Sequence, residues 1–136
     1  MAKNLESIKY MEKRTGEWLK QADYDMGTAE FMFNGRMFFY TVFMCHLSVE
    51  KAMKGLYQER LKETPPKTHN LVYLLKKIGV RPMDAIGIFI IKLNEASVVT
   101  RYPEDIDKLQ RQYTEVVVKD ILVKSKEVLQ WIKGQF

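Results

Sequence analysis

Few residues of this 136-residue chain combine reactive side chains with a spacing that could bring them together. The densest stretch is His46-Leu47-Ser48-Val49-Glu50-Lys51-Ala52-Met53-Lys54. His46, Glu50 and Lys54 recur every four residues, so on a helix they stand along one ridge, with Glu50 between two donors. Such a ladder ties helices together. The alternative use is that Lys51 and Lys54 present cations to a phosphate. Asp25 falls among apolar positions, where a carboxylate needs a cationic partner. Lys51 or Lys54 is the candidate partner. Arg101 stands two residues before Pro103, at a helix end where its planar fork can reach outward and grip phosphate. Its other reading is to cap the last carbonyls of that helix. The expected ligand contacts are therefore Lys51, Lys54 and Arg101, with Lys51 the freer lysine. Asp25, His46 and Glu50 are expected to form a structural polar network.

Other chemistries lack their parts. Two histidines and one cysteine are too few for a closed zinc site, which takes four such ligands. The Glu-x-x-His pairs of a di-metal bundle do not occur. Cys45 and His46 are adjacent, and neighbours on a helix point about 100° apart, so they do not form a dyad. Neither common Gly-rich phosphate loop is present. No catalytic residue, no metal and no cofactor is expected.

Five helical segments are needed to position these residues. The first runs from about Asn4 to Phe33, with Ile8, Met11, Thr15, Trp18, Ala22, Asp25, Ala29 and Met32 on one stripe. Asn34-Gly35 supplies its stop, because both residues tolerate the left-handed conformation. The second runs from about Arg36 to Lys62 and is apolar around most of its circumference. One row is Phe39, Val42, His46, Val49, Met53 and Leu56, and Thr41, Ser48, Lys51 and Gln58 leave only a narrow polar face. Such a helix is either central to a bundle or also meets a second subunit. Pro65-Pro66 forces a loop. Thr68 or Asn70 caps a short helix over Leu71–Ile78, ended by Gly79. A fourth helix runs from about Pro82 to Thr100, with Met83, Ile86, Ile90 and Leu93 facing inward. Glu104 to Gln112 reads as an acidic, polar connection. The last helix spans Thr114 to Lys133, with Val118, Leu122, Ser125, Leu129 and Ile132 as one of two apolar rows. The expectation is an all-α, up-down bundle of four or five helices in one domain, 1–136.

Composition agrees. Hydrophobic residues make 46% and charged residues 29% of the chain, a globular balance with enough length for a core. Cys45 alone cannot form an internal disulfide, which suits a reducing, cytoplasmic setting. Met1 to Glu6 carries charge without an apolar stretch, so no secretory signal is expected, and without a run of about 18 apolar residues no membrane span is expected. The net charge of +5 is scattered among acids, as in Lys119-Asp120 and Lys126-Glu127, and reads as a solvated surface more than as a nucleic-acid footprint.

Four short patterns, in order, resemble the HEPN (higher eukaryotes and prokaryotes nucleotide-binding) domain. They are Trp18-Leu19 with Ala22, Asp25-Met26, Ala29 and Gly35; His46 with Glu50-Lys51 and Lys54; Pro66-Lys67-Thr68-His69-Asn70-Leu71; and Arg101-Tyr102-Pro103. The resemblance implies a helical bundle that forms homodimers. It also implies the domain that accompanies a minimal nucleotidyltransferase, here as a separate subunit, with nucleotide or RNA as possible ligand. Some members are metal-independent ribonucleases, toxins of toxin–antitoxin pairs, with an Arg four to six residues ahead of a His. Here Arg36 precedes His46 by ten positions, Arg60 precedes His69 by nine, and no histidine follows Arg101. The expected function is thus a non-catalytic, nucleotide-binding or interaction partner of a nucleotidyltransferase, the alternative being a ribonuclease toxin.

Overall fold

The computed structural model describes residues 13–136, which among themselves form helices and connections only. Ile8 and Met11 lie outside the described residues. Two long helices, α1 (Lys13–Asn34) and α2 (Phe38–Leu61), make an antiparallel hairpin. Its register is fixed by polar contacts: Ser48 Oγ donates to the Ala22 carbonyl at 2.7 Å, and Trp18 Nε1 donates to Gln58 Oε1 at 3.1 Å. The helices come close enough at Gly55 that an added Cβ would stand 3.1 Å from the Trp18 Cβ. A larger residue there would need the Trp18 side chain to give way by a few tenths of an ångström.

The turn between them differs from expectation. Arg36, not Asn34 or Gly35, takes the left-handed conformation, at φ 63°. Met37 N donates to the Met32 carbonyl at 2.8 Å and Arg36 N to the Phe33 carbonyl at 3.0 Å, which is the Schellman pattern of helix ends. Arg36 accepts that backbone while its guanidinium pairs with Glu115 at 2.8 Å, tying the turn to the last helix.

A short α3 (Leu71–Ile78) follows the proline loop, capped by Asn70 and closed by Gly79 at φ 81°. Next come α4 (Asp84–Arg101), α5 (Ile106–Gln112) and α6 (Glu115–Lys133). The acidic connection expected over 104–112 contains α5, because the Asp105 side chain accepts from Lys108 N and starts a helix that buries Leu109. The fourth helix begins at Asp84, so Met83 lies at its N-cap, exposed, and not on an inward stripe.

Each of the other helices touches α2. Phe39, Val42, Val49, Met53 and Leu56 are all buried, in agreement with their row in the sequence, and Val118, Leu122, Leu129 and Ile132 of α6 meet the same core. The polar face of α2 is buried too. Thr41, Ser48 and Gln58 are almost fully covered, and α1 packs on that side, supplying partners to Ser48 and Gln58. The apolarity of α2 is thereby explained within one chain. No helix of the described residues is long and apolar enough to cross a membrane.

Candidate ligand-binding site

The polar residues singled out by spacing converge between α1, α2, the proline loop and α4. Lys51 Nζ lies 2.9 Å from Asp25 Oδ2, joining α2 to α1. The expectation that Lys51 stands free therefore does not match its placement: the covering helix carries the one carboxylate that needs it. Lys54 Nζ donates to Glu50 Oε2 at 3.0 Å. Both ends of that pair are nearly sealed from water, which makes the pairing obligatory for each.

The other oxygen of Glu50 is not taken by His46, whose Nδ1 stays 3.8 Å away. It accepts from His69 Nδ1 at 2.9 Å. A carboxylate can only accept, so this contact places a proton on Nδ1 of His69. The His69 side chain is 58% exposed and the Glu50 side chain 4%, so the imidazole caps a buried charge and shows its far edge to solvent. Spacing alone could not foresee this, since 19 residues and two prolines separate the pair. The Pro66–Leu71 pattern is the only signal of it in the sequence.

His46 is fully buried. Neither ring nitrogen has a well-placed hydrogen-bond partner among the described residues. Burial pulls its pKa down from 6.5 to about 4, with the charge of Arg101 adding to that effect and Glu50 opposing it. The ring is neutral at ordinary pH and serves as a packed core residue.

Arg101 comes from the end of α4. Its guanidinium lies over the Phe43 ring, 4.7 Å from the centroid, and its Nη2 is buried without a partner among the described residues. It therefore turns inward against α2, neither reaching out nor bonding the last carbonyls of its own helix. Asn94, two turns earlier on α4, accepts from Leu71 N at 2.8 Å and donates to Asn70 Oδ1 at 3.3 Å, so α4 also fixes the start of α3. Asn94 gives no signal in the sequence. Beyond Arg101, a groove of about 560 Å³ opens between α4 and α5, edged by Val98, Tyr102, Lys108 and Leu109.

Cys45 is buried, and burial pushes its thiol up to about 12, which leaves it unreactive. Among the described residues no group of three or more His, Cys, Asp or Glu side chains is placed to hold a metal ion.

The arrangement can thus order a loop over a buried carboxylate and present one arginine without an acidic partner. Comparison with known proteins gives the family. No curated protein sequence matches the chain. Two solved structures share its fold. The protein TT1696 from Thermus thermophilus superposes with a TM-score of 0.78 at 20% identity, over 92% of this chain and 100% of that one. ST0689, an archaeal HEPN homologue, superposes with a TM-score of 0.72 at 27% identity, over 91% of this chain and 98% of that one. The profile of the HEPN domain matches residues 15–135, almost the whole described chain, and the chain belongs to the HEPN domain family.

Proposed function

We propose that this protein is a non-catalytic HEPN subunit that binds a nucleotide or short RNA by its phosphate and works beside a separate minimal nucleotidyltransferase in the cytoplasm. The observation that supports this is the pairing of charges. Asp25 is matched by Lys51 and Glu50 by Lys54. Arg101 alone in this cluster has no carboxylate partner among the described residues, and part of its guanidinium is already stripped of water. An unpaired, half-desolvated guanidinium favours a bidentate anion. Lys51 and Lys54 then act one step back, by neutralising the two acids that would otherwise repel a phosphate. The nucleotidyltransferase partner rests on the family resemblance.

A homodimer belongs to the same reading, with a changed basis. The second helix is satisfied within its own chain, and the apolar residues left open include several on α4 and α6. Calorimetric titration of ATP and a short RNA into wild type and Arg101→Ala tests the site. Binding by wild type and at least tenfold weaker binding by the variant is expected, since a charged hydrogen-bonded contact contributes about 1.5–3 kcal/mol. Equal binding removes Arg101 from the site, and binding by neither leaves a pure interaction module.

One observation favours the ribonuclease alternative. The guanidinium of Arg101 lies over Phe43, one turn ahead of His46 on α2. Against it, His46 has no exposed edge with which to take a proton from a substrate hydroxyl. RNA cleavage in the presence of a metal chelator, abolished by Arg101→Ala, would replace the binding reading.

A further inference from the structure

His69 has an arrangement that ligand binding does not use. Its imidazole is on the surface, yet Nδ1 is held 2.9 Å from a carboxylate that is almost wholly buried. The carboxylate is itself oriented from behind by Lys54 at 3.0 Å. Thr68 Oγ1 accepts from Asn70 N at 3.1 Å, a local bond that spans His69, and Asn94 holds the first turn of α3 just after it. In the neutral tautomer with Nδ1 donating, Nε2 bears the lone pair, on a side chain that is 58% exposed. A carboxylate-backed imidazole of this kind is oriented as a nucleophile or base.

We infer that His69 Nε2 is an acceptor site for a phosphoryl group delivered by a small acyl phosphate. The Nε2 lone pair attacks phosphorus, and the N–P bond forms as the bond from phosphorus to the acyl oxygen breaks. The leaving carboxylate takes that electron pair. No proton has to leave the ring during transfer, because Nε2 carries none. The positive charge that develops on the imidazole lies against Glu50, which is already in place to offset it. His69 stands two residues ahead of α3 on an exposed loop, where a charged phosphoryl group stays hydrated.

The chain has two histidines, and the other is sealed in the core, so the experiment is clean. Folded protein is incubated with acetyl phosphate, digested at alkaline pH, and mapped by mass spectrometry beside a free peptide spanning residues 64–74. The expected result is one acid-labile adduct at His69, none at His46, formed faster than on the peptide and roughly tenfold slower in Glu50→Gln, where the tautomer and the offsetting charge are lost. No adduct on the folded protein, a rate no greater than the peptide's, or an unchanged rate in folded Glu50→Gln overturns the inference. Should Glu50→Gln lose its helical signal, the comparison of wild type with peptide decides alone.

Discussion

Two regions of this molecule invert the usual placement of residues. Between α1, α2 and α4 the interior holds Asp25, Glu50 and Lys54 with their partners. Along the outer side of α4 and the start of α6, the surface holds Val98 at 65% exposure, Val116 at 80%, and Ile88, Ile91 and Val99. In the inner region each buried acid has a cation within 3.0 Å and Glu50 has a second donor, while His46 and Arg101 Nη2 stay without partners among the described residues. The outer region has no such closure within one chain. Buried charge survives only where its partner is built in, whereas a contiguous apolar surface persists, with some loss of solubility, until something covers it. The first region therefore reports on folding, and the second on association.

The largest expected effect lies inside. Glu50→Ala should lower unfolding free energy by about 3–5 kcal/mol, because Lys54 is left buried without a counter-charge. Urea denaturation measures this. A sharper form uses the pair Asp120–Lys124, which has the same four-residue spacing and the same 3.0 Å separation but lies in solvent. Asp120→Ala should cost no more than about 0.5 kcal/mol. Equal losses from the two substitutions would erase the distinction between the regions.

The next effect is pH dependence. The folded chain keeps His46 neutral down to about 4, while the unfolded chain takes up a proton below its ordinary value of 6.5. Stability from this group is full above pH 6.5 and is lost as pH falls toward 4, by about 3 kcal/mol in all. Other acids titrate in that window, so the measured quantity is the difference in slope between wild type and His46→Gln, which should be the flatter of the two. Parallel slopes would mean that the ring is hydrated in the folded state.

The smallest change in stability, with the clearest change in assembly, is expected outside. Val98→Glu should leave monomer unfolding within about 0.5 kcal/mol of wild type. In light scattering at micromolar concentration it should convert a dimer to a 16.1 kDa species. A wild type already at that mass would overturn the homodimer.

Much of the fold was legible because helical periodicity is local. The Phe39–Leu56 row on α2 and the Val118–Ile132 row on α6 are core as read, whereas the other α6 row leaves Val117 43% exposed, and Asn70 and Gly79 bound α3 as their chemistry suggests. What failed was also local, and the reasons are specific. The Asn34-Gly35 pair offered two residues suited to the left-handed position, and the hydrogen-bond pattern placed that position on Arg36. The segment 104–112 was too polar to show a stripe, yet a good cap at Asp105 and one buried leucine sufficed for a helix. The site was half visible. The four-residue spacing gave Glu50 and Lys54, and the rule against lone buried carboxylates gave Asp25 and Lys51. The burial of α2's polar face, the inward turn of Arg101 and the role of His69 depend on contacts between segments far apart in sequence. No local pattern encodes those.

The sealed thiol of Cys45 makes the molecule convenient to instrument. With its native sulfur silent toward labelling reagents in the folded state, a cysteine introduced at an exposed position such as Tyr24, 78% exposed on α1, becomes the sole attachment point for a spin label or dye. Pulsed dipolar spectroscopy on such a singly labelled chain yields one distance between copies if they pair, and none if they do not. The native cysteine need not be removed to read it.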